Sequence, residues 1–304
     1  MVINDETQEK KLSVLENKKL ERLGVWSEVD PSILGISSDS KKILKGFIFF
    51  AISGETVHGA TYIDDAIDRG AIIVVTDMDG MKIISEQEIK ISIIVVDNPR
   101  KKLAQYAARW NGKQPKFQIA VTGTNGKTSV CYFVRKIWEN LGNKAVNIGT
   151  LGVQGEVELP LSHTTPDPVT LHKIFKKLVD ANVDHVAMEA SSHGLDQFRL
   201  DGVFLRAAAY TNLSRDHLDY HASEEDYLVS KCALFDRVLS SGQVVVVNID
   251  DPYGHLIKLI SENRKHKVIT VGVHEAADIK IQDQRFNENG QTLKFSYLGI
   301  SRTV

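Results

Sequence analysis

A glycine-rich segment near the middle of the chain constrains the fold more than any other feature. It reads Val121-Thr122-Gly123-Thr124-Asn125-Gly126-Lys127-Thr128. The alternating apolar residues of a strand precede it, and a helix-like apolar pattern follows it. In this context the backbone N–H groups of the turn can surround a phosphate, Lys127 can reach the outer phosphates, and the Thr128 hydroxyl can ligate Mg²⁺. We therefore predict a phosphate-binding loop.

One position departs from the general phosphate-loop pattern. The first glycine of G-x-x-x-x-G-K-T would fall at position 121, where this chain has Val121. The alternative interpretation is a glycine-rich turn that binds nothing. The preceding strand, the following helix and the Gly-Lys-Thr triplet in register favour a variant phosphate loop.

Strand-like and helix-like segments alternate on both sides of this loop. The residues from Ile33 to Asp97 contain short apolar runs, glycine-bearing turns and one helical stretch, which indicates a small α/β unit. Pro99 then opens a helix, and Gly112 ends it. We divide the chain after residue 98, so that 1–98 form an N-terminal domain and 99–304 a central domain.

The central domain contains further strands separated by helices, a pattern that predicts a doubly wound, mostly parallel sheet. Its first helix carries apolar residues three and four positions apart, which predicts one buried face. These residues are Val130, Phe133, Val134, Ile137, Trp138 and Leu141. Near the end of the chain, Asn289-Gly290 leads into alternating apolar residues and predicts a β-hairpin. The predicted fold class is α/β.

Composition and charge exclude several classes of protein. With 37 Lys and Arg against 39 Asp and Glu, the 304-residue chain has a net charge of −2, so no basic surplus suggests a nucleic-acid partner. Residues 1–22 lack a run of signal-peptide type, and no apolar stretch approaches the roughly 18 residues of a membrane helix. Cys131 and Cys232 are interpreted as structural thiols. We expect a cytoplasmic protein without a membrane span, acting as a monomer.

Polar residues follow two of the predicted strands. Glu189 comes directly after the apolar run Val186-Ala187-Met188, so its carboxylate would emerge at the carboxyl end of a strand, where doubly wound sheets gather their ligands. A carboxylate there would suit the Mg²⁺ that a phosphate loop requires. Ser191 and Ser192 follow, and either could instead cap the next helix.

A second polar segment has two histidines four residues apart, His217 and His221, beside Asp216 and Asp219. Such a pair could form half of a zinc site. No further cluster of soft ligands accompanies it, and the phosphate loop already requires Mg²⁺. We therefore favour one of these histidines as a Mg²⁺ ligand or as a group near phosphate.

Four motifs occur in a fixed order along the chain. They are Gly-Thr-Asn-Gly-Lys-Thr at 123–128, His-Thr-Thr-Pro at 163–166, Met-Glu-Ala-Ser-Ser-His at 188–193, and Asp-His-Leu-Asp-Tyr-His at 216–221 followed by Lys231. Together they resemble the Mur ligases, most closely the MurE type. Upstream, Asp39-Ser40-Lys41 and the residues from Gly46 to Gly59 resemble the domain in which this family holds uridine diphosphate. The resemblance covers nearly the whole chain from Ser38 onward.

The resemblance implies an activity. Enzymes of the MurE type join a diamino acid, meso-diaminopimelate or L-lysine, to UDP-N-acetylmuramoyl-L-Ala-D-Glu with ATP and Mg²⁺. An ATP-dependent ligase of peptidoglycan biosynthesis and cell wall biogenesis is therefore implied, with the associated roles in cell shape, cell division and the cell cycle.

The resemblance also implies roles for individual residues. Nucleotide would contact Gly123, Thr124, Asn125, Gly126, Lys127, Thr128 and Ser129. The UDP-linked substrate would contact Ser38, Ser40, His163, Thr164, Thr165, Ser191, Gln197 and Arg199. Mg²⁺ would be held by Thr128, Glu189 and His217, and by Lys231 if that lysine is carbamylated as in the family; the catalytic residues would be Lys127, Lys231 and His217. The alternative for Lys231 is that it simply faces solvent on its helix.

Two features depart from the family pattern. Asp97-Asn98-Pro99-Arg100 matches a motif that diaminopimelate-adding enzymes carry in a third domain, but here it precedes the phosphate loop, so we interpret it as a helix start. The sequence ends at Val304, shortly after the predicted hairpin, so we expect the amino-acid-binding C-terminal domain to be absent and this chain alone to ligate poorly. A folylpolyglutamate synthase, a cyanophycin synthetase and a non-catalytic nucleotide-binding fragment are the alternatives.

Overall fold

The computed structural model describes residues 33–85, 89–216, 219–288 and 290–304. The chain divides into two compact units. The first extends to Lys113 and includes the short segment Asp167–Ile174, and the second contains Gln114–Pro166 and Phe175–Val304. In the described parts of the chain, no helix combines the length and the apolar character needed to cross a membrane.

The first unit is built on a parallel sheet. Its described strands are β1 (Gly35–Ser37), β2 (Phe47–Phe50), β3 (Ala71–Thr76) and β4 (Ser92–Val95), in that spatial order. Its helices are α1 (Ile63–Asp68), α2 (Met78–Ile83) and α3 (Pro99–Asn111), with 3₁₀ turns at Ser40–Lys42 and Gly59–Tyr62. Side chains alternate between the two faces of the sheet, so Ile48 and Phe50 pack into one hydrophobic core and Phe49 into another.

The first unit extends beyond residue 98. Helix α3 begins at Pro99, directly after Asn98, whose side chain caps it. Leu103 and Tyr106, on the buried face of α3, belong to the same hydrophobic core as the β1–β4 sheet. The division therefore falls after Lys113 and not after residue 98, because the apolar face of α3 packs on the N-terminal sheet.

The second unit is a mostly parallel sheet with helices between its strands. The strands are β5 (Phe117–Thr122), β6 (Ala145–Gly149), β7 (Gly152–Gly155), β8 (His185–Glu189), β9 (Ala207–Tyr210), β10 (Val244–Asn248), β11 (Lys267–Gly272), β12 (Ile279–Asn287), β13 (Gly290–Tyr297) and β14 (Ile300–Thr303). The helices of this part of the chain are α4 (Lys127–Asn140), α5 (Pro168–Asp180), α6 (Ser192–Asp196), α7 (Glu224–Ala233), continued by a π-helical turn at Leu234–Val238, and α8 (Gly254–Asn263). The residues of α5 up to Ile174 belong to the first unit.

The spatial order of these strands is β14-β13-β12-β11-β10-β9-β5-β8-β6-β7. Neighbours from β6 to β12 are parallel, whereas β7, β13 and β14 are added antiparallel at the two ends. This confirms the α/β class. Strand β14 follows the predicted hairpin because Leu298 and Gly299, with φ angles of 51° and 76°, return the chain to β13.

The buried face of α4 differs from the predicted one. Cys131, a free thiol, is fully buried, and Val130 and Trp138 pack against the same core. Three of the residues expected on this face are more than half exposed: Phe133 (60%), Ile137 (57%) and Leu141 (72%). At about 100° per residue these positions lie roughly 80° to 160° around the helix from Cys131, so the prediction was wrong for them.

Candidate functional site

The glycine-rich loop connects the end of β5 to the start of α4. Gly123 and Gly126 have φ angles of 146° and 86°, in the region that favours glycine. A Cβ atom at Gly123 would lie 1.9 Å from the Thr211 Oγ1 atom, so this position also lacks room for a side chain. The loop geometry therefore requires glycine at both positions.

The segment that follows β9 holds this loop. The backbone N–H of Thr124 donates to the carbonyl oxygen of Asn212 (2.8 Å), and the N–H of Asn125 donates to the Asn212 Oδ1 atom (3.0 Å). The Thr211 hydroxyl donates to the Asn125 carbonyl oxygen (2.7 Å). Sequence reasoning gave no role to Thr211 and Asn212, although residues directly after a parallel strand are where such support is expected.

Two lysines converge on the loop. The Lys127 Nζ atom donates to the carbonyl oxygens of Gly123 and Thr124, at 2.8 Å each. Lys231 on α7 is fully buried; its Nζ atom donates to the same Gly123 oxygen at 3.0 Å and lies 4.2 Å from the centre of the Tyr227 ring. The interpretation of Lys231 as a solvent-facing residue is therefore wrong.

Burial lowers the pKa of both lysines. Desolvation is the main cause at Lys127, and the carboxylates of Glu189 and Asp216 act in the opposite direction. At Lys231, desolvation followed by repulsion from Lys127 lowers the pKa to about 7. Two desolvated amines that share one carbonyl oxygen would both be stabilised by an anion, so the loop fits a phosphate group.

Glu189 is the last residue of β8 and faces the start of α4. The Thr128 hydroxyl donates to the Glu189 Oε1 atom at 2.9 Å. The backbone N–H of Thr150 donates to the same oxygen at 3.0 Å, and the Thr150 hydroxyl lies 3.4 Å from Glu189 Oε2 and 3.1 Å from the Thr164 hydroxyl. A Cβ atom at Gly149 would lie 1.9 Å from Glu189 Oε1. Thr150 was not predicted as a site residue from the sequence. The feature that could have indicated it is the Gly149-Thr150 pair at the end of a buried strand.

A carboxylate and a hydroxyl oxygen are ligands that Mg²⁺ accepts, so Glu189 and Thr128 fit this ion. His217 lies outside the described residues. His221 is buried among aromatic rings, with the ring centres of Tyr220 and Tyr227 at 4.8 and 5.2 Å. Where the chain is described, no group of three or more His, Cys, Asp or Glu side chains is arranged to hold a metal.

Several of the expected substrate residues lie together beside Glu189. The buried Thr165 hydroxyl donates to the Glu189 carbonyl oxygen (2.8 Å) and accepts from the Ser191 N–H (3.0 Å). The Arg199 NH1 group donates to the Thr165 carbonyl oxygen (2.6 Å), and its Nε and NH2 groups donate to Gln197 Oε1 at 3.2 and 2.7 Å. Ser191 also caps α6, as its sequence position allowed.

Other expected site residues have local contacts. His163 is exposed, and its Nδ1 atom lies 2.9 Å from the hydroxyl of the preceding serine. Ser129 is exposed in the first turn of α4. In the first unit, Ser38 is exposed and Ser40 is buried, and the Ser40 hydroxyl is the main cause that lowers the pKa of Asp65.

The glycine loop lies between a parallel strand and a helix. Lysine and threonine begin that helix, and a glutamate ends the neighbouring strand. These features define a P-loop protein of the α/β class. The family model "Mur ligase middle domain" matches residues 121–302, and "Mur ligase family, catalytic domain" matches residues 32–111. The chain belongs to the Mur ligase family.

Two similar proteins share the name "UDP-N-acetylmuramoyl-L-alanyl-D-glutamate--2,6-diaminopimelate ligase". The protein of Mesorhizobium japonicum is 47% identical over 250 residues, which cover 82% of this chain and 51% of the relative. The protein of Zymomonas mobilis is 40% identical over 281 residues, covering 91% and 56%. The chain thus spans about half the length of these relatives.

Solved structures agree with this assignment. A ligase of the same name superposes with a TM-score of 0.78 at 29% identity, over 90% of this chain and 55% of that chain. The MurF ligase from Thermotoga maritima in complex with ADP superposes with a TM-score of 0.57 over 90% of this chain and 58% of that chain. At 18% identity, the second similarity shows the fold alone.

Proposed function

We propose that this chain is the part of an ATP-dependent ligase that binds the UDP-linked substrate and the nucleotide, and that the ligase adds a diamino acid to UDP-N-acetylmuramoyl-L-Ala-D-Glu in peptidoglycan biosynthesis. The hydrogen bond from Thr165 to the Glu189 carbonyl oxygen carries the proposal, because it joins the substrate cluster to the residue that faces the phosphate loop. meso-Diaminopimelate is the favoured amino acid, since the similar ligases are named for it.

Further residues and properties predicted from the sequence would serve the same function. The first unit would contribute Ser38 and Ser40 to the nucleotide end of the substrate, and His163 would act with the cluster of the second unit. The protein would act as a cytoplasmic monomer and serve cell shape, cell division and the cell cycle through the cell wall.

In the proposed reaction, a carboxylate oxygen of D-Glu attacks the γ-phosphorus of ATP, and the bond from that phosphorus to the ADP oxygen breaks. An amino group of the diamino acid then attacks the acyl carbon, loses a proton and releases inorganic phosphate. Positioning and charge neutralisation would supply most of the catalysis, because phosphoryl transfer needs little covalent chemistry from the protein.

Different residues of the chain would have different roles in this reaction. Lys127, whose Nζ atom lies 2.8 Å from two loop carbonyl oxygens, would reach a phosphate seated in the loop. Gln197 and Arg199, already joined by hydrogen bonds, would orient carboxylates of the UDP-linked substrate. Thr165 would fix the position of this pair relative to Glu189, because it forms hydrogen bonds with both Arg199 and Glu189.

Thr128 and Glu189 would hold Mg²⁺, with His217 and a modified Lys231 as further ligands. A bound Mg²⁺ would neutralise charge on the phosphate oxygens. Thr150 supports this arrangement, because its N–H and hydroxyl both face the Glu189 carboxylate.

Lys231 is proposed to carry a carbamate. The neutral amine would attack the carbon of CO₂, forming an N–C bond, while the N–H proton leaves to solvent. A pKa of about 7 leaves about half of the amine neutral at neutral pH. The product is an anion, so its repulsion with Lys127 would become attraction.

A ligand panel read by thermal unfolding tests the proposed function. We expect UDP-N-acetylmuramoyl-L-Ala-D-Glu and Mg²⁺-ADP each to raise the Tm, because a ligand at 100 times its Kd stabilises the folded state by about 2.7 kcal/mol. Folate should leave the Tm unchanged. Stabilisation by folate in place of the UDP compound would indicate a folylpolyglutamate synthase. A rise in Tm with nucleotide alone would indicate an unrelated NTPase, and an unchanged Tm with every ligand would indicate a non-catalytic fragment.

Substitutions around Glu189 test the metal assignment. Glu189→Gln should raise the Mg²⁺ concentration needed for ADP-dependent stabilisation by roughly tenfold, because the charged ligand is lost. Thr150→Val keeps the N–H but removes the hydroxyl, so a rise of roughly threefold is expected. Thr150→Ser is the matched control and should behave as the parent. An unchanged Mg²⁺ titration in Glu189→Gln would contradict the assignment.

A further inference from the structure

The turn between Gln197 and Arg199 contains a strained residue. Phe198 has a φ angle of 57°, in the left-handed region that bulky residues rarely adopt. This conformation reverses the chain locally, so that the Arg199 side chain can donate to Gln197 Oε1. Because such a conformation is costly, the surrounding contacts must hold it.

Arg237 supplies such contacts from another element. It lies in the π-helical turn Leu234–Val238, a feature frequent at functional sites. Its guanidinium carbon lies 3.9 Å from the centre of the Phe198 ring. The NH2 group donates to the Leu195 carbonyl oxygen (2.6 Å), and the NH1 group donates to both carboxylate oxygens of Asp201 (2.8 Å each). Arg237 therefore contacts the chain before, at and after the strained residue.

The chemistry of these contacts is specific to arginine. The Asp201 side chain is 3% exposed and that of Arg237 is 21% exposed, so the ion pair is largely removed from water. A lysine could pair with Asp201, but it has no planar group to stack on Phe198 while it also donates to a second acceptor. Loss of the guanidinium at Arg237 would remove both hydrogen bonds that it donates to the buried Asp201 carboxylate, which is strongly destabilising.

We propose that Arg237 is a positioning residue for the UDP-linked substrate: it holds Phe198 in its left-handed conformation and so presents Gln197 and Arg199 to the carboxylates of that ligand. The identity of the ligand rests on the proposed function. Arg237 would act entirely through the turn and not through the nucleotide site.

Hydrogen–deuterium exchange measures how firmly the turn at residues 197–199 is held, and the measurement does not require a bound ligand. The Arg199 N–H donates to the Gly194 carbonyl oxygen at 2.8 Å and reports on the turn directly. Arg237→Lys, which keeps the charge beside Asp201, should speed exchange at residues 197–199 roughly tenfold. It should weaken binding of UDP-N-acetylmuramoyl-L-Ala-D-Glu roughly fivefold and leave the affinity for Mg²⁺-ADP unchanged.

Two further variants make the test specific. Phe198→Gly combined with Arg237→Lys should return the exchange toward the parental rate, because glycine adopts a positive φ angle without strain. Arg264→Lys is the matched control: Arg264 forms a 3.8 Å ion pair with Asp236 in the same π-helical turn, and its substitution should change neither exchange nor affinity.

Three outcomes would overturn the inference. One is unchanged exchange at residues 197–199 in Arg237→Lys. Another is faster exchange with an unchanged affinity for the UDP compound, and the third is an equal loss of UDP-ligand and Mg²⁺-ADP affinity with a lower Tm. If the parent binds no UDP compound, the proposed function fails, while the exchange data still decide whether Arg237 holds the turn.

Discussion

Replacing Lys127 by alanine is expected to weaken Mg²⁺-ATP binding roughly 100-fold, because charge-assisted hydrogen bonds to phosphate are worth about 1.5–3 kcal/mol each. The fold should persist, since the side chain is only partly buried and its loop is also held by Thr211 and Asn212. Isothermal titration calorimetry measures the affinity, and the thermal unfolding midpoint checks the fold.

Lys136→Ala provides the matched control for this measurement. Lys136 lies on the same helix and donates to Glu139 at 2.8 Å, with its side chain 45% exposed. Its removal should leave ATP affinity unchanged. Equal affinities in Lys127→Ala and the parent, or an equal loss in both variants, would remove the phosphate-loop assignment.

Lys231→Ala is expected to weaken Mg²⁺-dependent ATP binding roughly 30-fold, because the variant lacks the carbamate that would contribute charge to the metal. Added acetate or formate should restore much of the affinity by placing a carboxylate in the vacated space. Full affinity without any additive would show that the modification plays no part. The measurement is a calorimetric titration in parallel with and without the acid.

Lys231→Met separates function from folding. Methionine fills the buried space without a charge, so we expect the variant to fold but to gain nothing from acetate. In an unmodified parent, the pKa of Lys231 is about 7 when folded and near its ordinary 10.5 when unfolded. The unfolded chain then binds more protons between these values, so the stability of the parent relative to Lys231→Met should rise with pH across that window.

Local sequence patterns predicted the elements that carry the phosphate loop. Three local features determine the position of this loop: the alternating residues of β5, the glycines at 123 and 126, and the helical periodicity of α4. Each depends on residues only a few positions apart, so each can be recognised in the sequence. Pro99 opens α3 for the same reason, because the cap at Asn98 is local. Glu189 was also found from its neighbours, since a polar residue that ends an apolar run marks the edge of a parallel sheet.

Such local patterns could not predict contacts between residues that are far apart in the sequence. The Lys231 Nζ atom meets an oxygen 108 positions away, and Thr150 meets Glu189 across 39 positions. The exposure of Phe133 depended on which side of α4 the sheet covers, and the division after Lys113 depended on the sheet that α3 packs against. Helix and strand periodicity comes from neighbouring residues along the chain, whereas burial, pKa and the pairing of side chains come from the elements that the fold brings together.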